Sequence, residues 1–214
     1  MIKVGITGGI GSGKSVVCEL LRVYGYPVYD ADDRAKELNN TSPIIRDKLI
    51  SHFGKDLYPD NKLDKKKLAN IIFTNPDNLK IANSIIHPEV AKDFIKWILE
   101  REKYAIVFMD AAVLLEAGFN KILDKVITVY APYTLRLQRA SERDKTDIKN
   151  IAERAKNQLS EEERIKLSDY VIYNDDTQSL IEQVATILRT LCNEYRVHIL
   201  LVIIILTSIE KNIF

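Results

Sequence analysis

The stretch Gly8-Gly9-Ile10-Gly11-Ser12-Gly13-Lys14-Ser15 lies close to the amino terminus. It fits the pattern of a glycine, four residues of any type, a glycine, a lysine and then serine or threonine, which is typical of loops that bind nucleotide phosphates. The apolar residues from Ile2 to Ile6 predict a short strand before it, and Lys14 to Tyr24 carries apolar side chains at helical spacing after it. The sequence therefore predicts a strand, a loop and a helix in that order, which is the context that this motif requires.

The residue types of this phosphate loop (residues 8–15) indicate its chemistry. Four glycines in six positions permit backbone conformations that a Cβ forbids, so that successive N–H groups can point at one anion. The amino terminus of the next helix adds its dipole at the same place. We expect Lys14 to reach the β and γ phosphates of ATP and the Ser15 hydroxyl to ligate Mg²⁺. The predicted nucleotide-binding residues are Gly9, Ile10, Gly11, Ser12, Gly13, Lys14, Ser15 and Val16.

Composition limits the class of protein. The chain has 214 residues, of which 46% are hydrophobic, and a formal net charge of +1, as expected of an ordinary globular protein. A charge so close to zero argues against nucleic acid as a main partner. Cys18 and Cys192 have neither a metal-ligand spacing nor a disulfide framework. The first strand begins without a preceding signal peptide, and no apolar run reaches the roughly 20 residues of a membrane span, so we predict a cytoplasmic protein with no membrane partner.

The remaining pattern predicts an α/β fold of the P-loop NTPase type. Strands at residues 27–29, 104–110, 125–130 and 170–173 alternate with helices, which indicates a parallel, doubly wound sheet. The helical stretch between the second and third strands is too long for a simple crossover and predicts an inserted substrate subdomain. Within it, His87-Pro88 is expected to separate two helices. We predict one domain over residues 1–196, with a core at about 1–36 and 103–196, an insert at about 37–102, a lid at about 136–160, and an apolar tail of unknown role at 197–214.

Three groups of charged residues are candidates for catalysis. Asp32 follows the second strand, where ligands bind in open α/β sheets, and is expected to orient the hydroxyl of the acceptor; helix capping is the alternative for this acidic cluster. Asp110 ends a buried strand and is expected to hold Mg²⁺ through water, unless it is only a turn residue. Arg139 and Arg143 are four residues apart on one helix face, where a lid would close them over the triphosphate. A solvated, ion-paired surface helix is the alternative for the two arginines.

With these residues identified, the chain resembles the dephospho-CoA kinases over roughly residues 2 to 190. The resemblance rests on Thr7 to Ser15, Asp30-Ala31-Asp32, Ile86-His87-Pro88, the Arg154…Gln158 pair, and Ser168 to Asn174. It implies that Asp32 is the catalytic acid facing the ribose 3′-hydroxyl of dephospho-CoA, that the helical insert holds the pantetheine arm, and that Arg139 and Arg143 belong to the lid. Two positions depart from the family pattern: Ala112 stands where a proline is usual, and Arg136 where a glutamine is common.

Two other functions compete with this expectation. Another small-metabolite kinase, similar to shikimate kinase, would share the phosphate loop and the aspartates, although the long helical insert disfavours it. A nucleotide-switched binding protein is suggested by Asn61-Lys62-Leu63-Asp64, which spells the guanine-recognition pattern N-K-x-D. No buried strand precedes that tetrapeptide, and no D-x-x-G sequence follows the phosphate loop. The expected partner is a small-molecule substrate. A monomer or weak homo-oligomer is expected.

Overall fold

The computed structural model describes the backbone of residues 1–213 and the side chains of the same residues except Phe73 and those from 197 onward. The expectations for the tail at 197–214 lie outside the described side chains. The chain forms two compact units. The sheet unit consists of Met1–Val28 and Glu102–Phe214, and the helical unit consists of Tyr29–Arg101.

A five-stranded sheet is the framework for the phosphate loop. Its strands are β1 (Ile2–Thr7), β2 (Val28–Asp30), β3 (Ile106–Asp110), β4 (Lys125–Tyr130) and β5 (Tyr170–Tyr173). Their order in the sheet is β2-β3-β1-β4-β5, and the β1–β3, β1–β4 and β4–β5 pairs are parallel. The predicted parallel α/β sheet is confirmed. In this register Ile6 of β1 lies opposite Asp110 of β3, so both strands end at the same edge.

Nine α-helices accompany the sheet within residues 1–213, together with three short 3-10 turns at Lys55–Leu57, Pro59–Asn61 and Phe119–Ile122. The α-helices are α1 (Lys14–Val23), α2 (Ala31–Thr41), α3 (Pro43–Phe53), α4 (Lys65–Thr74), α5 (Pro76–Leu99), α6 (Tyr133–Asp144), α7 (Ile148–Ala155), α8 (Glu161–Lys166) and α9 (Leu180–Ile213).

The core of the sheet unit lies between the sheet and the helices α1 and α9. Val4 and Ile6 of β1 are two residues apart, so they share one face of the strand, and both are fully buried. Val17 of α1 and Leu191 of α9 are fully buried in the same apolar cluster. Because β1 and α1 are both held in this core, the loop that joins them is fixed at its two ends.

The helical unit comprises α2 to α5, whose starts are set by side-chain caps. Asp30, Ser42, Asp64 and Asn75 each accept a hydrogen bond from a backbone N–H in the first turn of the helix that follows. The helical unit also buries an apolar cluster of its own, formed by Ile45, Leu49, Leu57, Tyr58, Leu63, Leu68, Ala82 and Ile85.

The predicted break at His87-Pro88 is wrong, because α5 continues through Pro88 from Pro76 to Leu99. Proline has no N–H to donate to the preceding turn, and its ring crowds the carbonyl four residues earlier. Helix α5 nevertheless buries Ile85 before the proline and Val90 and Phe94 after it. Packing on both sides therefore holds the helix across a residue that would end it in isolation.

Candidate active site

The phosphate loop runs from the end of β1 at Thr7 to the start of α1 at Lys14. Gly11 (φ 77°) and Gly13 (φ 90°) have the left-handed backbone that only glycine adopts without strain. A tight turn within the loop is closed by the Ser12 N–H, which donates to the Gly9 carbonyl at 2.9 Å. Among the described residues, the N–H groups of Gly11, Gly13 and Ser15 have no protein acceptor. These open amides at a helix amino terminus fit a bound phosphate.

Lys14 and Asp110 form an ion pair at the edge where β1 and β3 end. Both side chains are largely buried, with relative exposures of 16% and 8%. Residues 1–196 show no group of three or more His, Cys, Asp or Glu side chains that could hold a metal ion. Mg²⁺ does not need such a group, because it keeps several waters and binds through one or two protein oxygens and the phosphates of the substrate. The Ser15 hydroxyl and the Asp110 carboxylate are therefore a donor set that fits Mg²⁺.

Cys18 lies on α1 behind this ion pair and is fully buried. Burial raises the pKa of its thiol well above the usual value, and the nearby negative charge of Asp110 raises it further. A thiol held in the neutral form is a poor nucleophile. Cys18 is therefore part of the core, as its position in the sequence suggests.

The two arginines predicted for the lid have separate acidic partners. Arg139 donates to the Asn174 carbonyl at 2.8 Å and to both carboxylate oxygens of Asp176 at 2.9 and 3.0 Å. Arg143 has a 59% exposed side chain and donates to Asp144 at 2.8 Å. Hydrogen bonds from Arg143 and Arg154 lower the pKa of Asp144 to about 2. Arg139 thus bonds to the turn after β5, while Arg143 lies at the surface end of α6, and their roles toward a nucleotide stay predictions.

The acidic cluster after β2 belongs to the first turn of α2. Asp30 accepts a hydrogen bond from the Asp33 N–H at 2.9 Å, so the capping role left open for this cluster belongs to Asp30. Asp33 is exposed and pairs with Lys36 at 2.6 Å, and the hydrogen bond from Lys36 lowers the pKa of Asp33. Asp32, between them, is half-buried in the helical unit.

Three residues outside the predicted set contact the phosphate loop, and one of them is Asn174, whose Nδ2 donates to the Ser12 carbonyl at 2.8 Å. Gln158 accepts the Ile10 N–H at 2.9 Å through its Oε1, and Nη1 of Arg136 donates to the Ile10 carbonyl at 3.4 Å. Gln158 is one of the residues that carry the family resemblance and Arg136 departs from the family pattern, but the sequence predicts no role at the loop for either residue. Gln158 and Arg136 are 148 and 126 residues away from Ile10 in the chain. Helical and strand periodicity do not predict contacts over such separations.

The guanine-recognition tetrapeptide has another structural explanation. Asn61 ends the 3-10 turn Pro59–Asn61, and Asp64 caps α4 through the Lys67 N–H at 3.0 Å. No strand precedes the tetrapeptide among residues 31–105. The pattern therefore marks the start of a helix in the helical unit.

Comparison with known proteins identifies the family. The family model for dephospho-CoA kinase matches residues 2–179. The dephospho-CoA kinase of Porphyromonas gingivalis is 43% identical over 191 residues, which cover 89% of this chain and 94% of that relative. The dephospho-CoA kinase of Bacteroides fragilis (strain YCH46) is 40% identical over 190 residues, with coverage of 89% and 93%. The chain belongs to the dephospho-CoA kinase family.

Solved structures agree with this family. The dephospho-CoA kinase from Campylobacter jejuni superposes with a TM-score of 0.64 at 26% identity and covers 87% of this chain and 95% of its own. A crystal structure from Thermus thermophilus has a TM-score of 0.78 at 31% identity, with coverage of 88% and 96%. A shikimate kinase from Acinetobacter baumannii, at 16% identity and a TM-score of 0.50, shares the fold alone. The chain is therefore an ATP-dependent kinase of the P-loop fold, which confirms the resemblance read from the motifs.

Among the residues with described side chains, no helix is both long and apolar enough to span a bilayer.

Proposed function

We propose that this member of the dephospho-CoA kinase family transfers the γ-phosphoryl group of ATP to the ribose 3′-hydroxyl of dephospho-CoA. The observation that carries the proposal is the phosphate loop: its amides of Gly11, Gly13 and Ser15 are open, and Lys14 stands beside them within a chain that matches the family over residues 2–179. The acceptor comes from the names of the relatives in Porphyromonas gingivalis and Bacteroides fragilis, which are dephospho-CoA kinases.

The donor side of the reaction rests on residues of the sheet unit. The open amides and the Lys14 ammonium bind the triphosphate and stabilise the charge that spreads over the transferred group. The oxygens of Ser15 and Asp110 would hold Mg²⁺, which supplies further neutralisation of phosphate charge when bound. Lys14 and Asp110 neutralise each other in an ion pair here. With both ligands bound, Lys14 would pair with the phosphates of the nucleotide and Asp110 with the metal ion.

The acceptor side rests on the helical unit and on the lid. We assign to Asp32 the orientation of the 3′-hydroxyl and the acceptance of its proton, because Asp32 follows β2 at the carboxyl end of a strand. We assign to Arg139 and Arg143 the stabilisation of transition-state charge, since both lie on α6, within the predicted lid at about 136–160. The helical unit would bind the remainder of dephospho-CoA. The cytoplasmic location and the monomer or weak homo-oligomer stay predictions.

Substitution of Asp32 tests this assignment. We expect Asp32→Asn to lower kcat at least about 100-fold, because a positioned general base contributes about 10²–10⁴. The dissociation constant for ATP, measured by calorimetry without acceptor, should remain within about twofold of the parent protein.

The matched control is Asp33→Asn, one residue away. Asp33 is exposed and pairs with Lys36, so this variant should retain kcat. If both variants lose the same activity, or if Asp32→Asn loses ATP binding along with turnover, Asp32 has a structural role and the assignment fails.

A further inference from the structure

The Ile10 residue of the phosphate loop is held from three sides by the segment that follows β4. Its N–H donates to Gln158 and its carbonyl accepts from Arg136, at 2.9 and 3.4 Å. Its side chain packs against a small apolar cluster of α6 and α7. We call Arg136 and Gln158 the Ile10 brace. Gln158 thus holds the peptide group before Ile10 and Arg136 holds the one after it, which limits the rotation of both.

The brace is itself fixed by buried ion pairs. Arg136 is 5% exposed, and its Nη2 lies 3.3 Å from Oε1 of Glu161. The same Glu161 oxygen accepts from Nη1 of Arg164 at 2.5 Å, and Arg164 is fully buried. One residue after Gln158, the Leu159 N–H donates to Glu116 at 2.9 Å. Glu161 thus anchors Arg136, and Glu116 anchors the residue next to Gln158. These contacts within the sheet unit fix the brace, and with it the position of Ile10.

The backbone of Arg136 also lies directly against the loop. A Cβ built on Gly11 would collide with the Arg136 carbonyl oxygen, so α6 and the loop pack backbone to backbone. The amides of Gly11 and Gly13, which follow Ile10, are among those with no acceptor in the described residues. The Ile10 carbonyl and the Gly11 N–H belong to one planar peptide group, so a rotation of that group would reorient the open Gly11 amide.

We propose that Gln158 and Arg136 are positioning residues for nucleotide binding. They fix the peptide groups on either side of Ile10, and thereby they hold the Gly11 amide so that it faces one phosphate chain together with the amides of Gly13 and Ser15. The inference rests on the proposed function only in taking nucleotide phosphates as the ligand of the loop; it does not depend on which alcohol accepts the phosphoryl group.

The test compares two substitutions of Gln158. Gln158→Met has a similar length but no strong acceptor, whereas Gln158→Glu keeps an oxygen that can accept the Ile10 N–H. We expect Gln158→Met to weaken the binding of ATP about three- to tenfold, which is the scale of one hydrogen bond. Calorimetry with ATP in the absence of acceptor measures this change. Amide hydrogen exchange of Ile10 should become faster in Gln158→Met and stay slow in Gln158→Glu, which a purely structural role elsewhere would not produce.

The control is Asn157→Ala, because the Asn157 side chain is exposed one residue earlier. It should leave both ATP affinity and Ile10 exchange unchanged. If Gln158→Met does not fold, Arg136→Met, which removes the donor to the Ile10 carbonyl, gives the second test, with the same expected loss of ATP affinity from the other half of the brace. Unchanged ATP affinity in the folded variant overturns the proposal. Absence of turnover with dephospho-CoA in the parent protein would overturn the proposed function and leave this result standing.

Discussion

Substitution of Arg164 by methionine should destabilise the sheet unit substantially. The Arg164 side chain is fully buried; Nη1 donates to Glu161 at 2.5 Å and Nη2 donates to the Leu159 carbonyl at 2.9 Å. Removing one partner of a buried ion pair costs about 3–5 kcal/mol, because the other charge stays buried without compensation. Glu161 would still have Arg136 at 3.3 Å, so the lower end, about 3 kcal/mol, applies here.

This free energy converts to a shift in melting temperature. For a protein of this size, each kcal/mol lowers Tm by about 2–4 °C, so the expected decrease is about 6–12 °C. Differential scanning calorimetry is the suitable assay, because the single tryptophan, Trp97, lies in the helical unit and its fluorescence reports on that unit.

Arg143→Met is the matched control for Arg164→Met. It removes the same side chain type from a pair with Asp144, but the Arg143 side chain is 59% exposed. Exposed pairs contribute about 0–1 kcal/mol, so Tm should fall by about 4 °C or less. If Arg164→Met melts within 2 °C of this control, the buried ion pairs do not anchor the brace, and the reasoning from burial is refuted.

Three further predictions concern glycine geometry, pH and thiol reactivity. Gly11→Ala should abolish tight ATP binding while Gly25→Ala retains it, as measured by calorimetry: both glycines have positive φ, but only at Gly11 would a Cβ meet backbone. The pKa of Asp93 is lowered chiefly by its hydrogen bond from Arg34. Its contribution to the free energy of unfolding is therefore present above about pH 4 and is lost as the pH falls below that value. In Asp93→Asn, the free energy of unfolding, followed by Trp97 fluorescence, should depend less on pH in this range. Cys18 should resist alkylation at pH 8 until the protein is unfolded, as mass spectrometry of the native protein would show, because burial raises its thiol pKa; rapid native labelling would contradict this.

Local features of the fold could be predicted because they depend on neighbouring residues. The predicted strand, loop and helix around Gly8 to Ser15 are in place. Ser160 and Glu163 form a capping box, which two residues three positions apart are enough to specify. The cap at Asp64 follows from the same short-range chemistry, in which a carboxylate accepts the N–H three residues later.

Features that depend on tertiary packing could not be predicted in this way. Pro88 ends a helix by its local chemistry, but α5 continues through it because both flanking turns are buried. Arg136 is a surface cation by residue type, yet it is buried against the loop and Glu161, which are distant in sequence. The contact of Gln158 with Ile10 likewise requires two segments that are distant in sequence to lie close together, which the periodicity of the sequence does not predict.

The most direct test of the proposed function is the product formed from ATP, Mg²⁺ and dephospho-CoA, with shikimate and nucleosides as alternative acceptors. We predict one ADP released for each CoA formed, with phosphorus NMR placing the new phosphate on the ribose 3′-oxygen and no comparable turnover of the other acceptors. ADP release that is unaffected by dephospho-CoA, or a preference for shikimate or a nucleoside, would contradict the account.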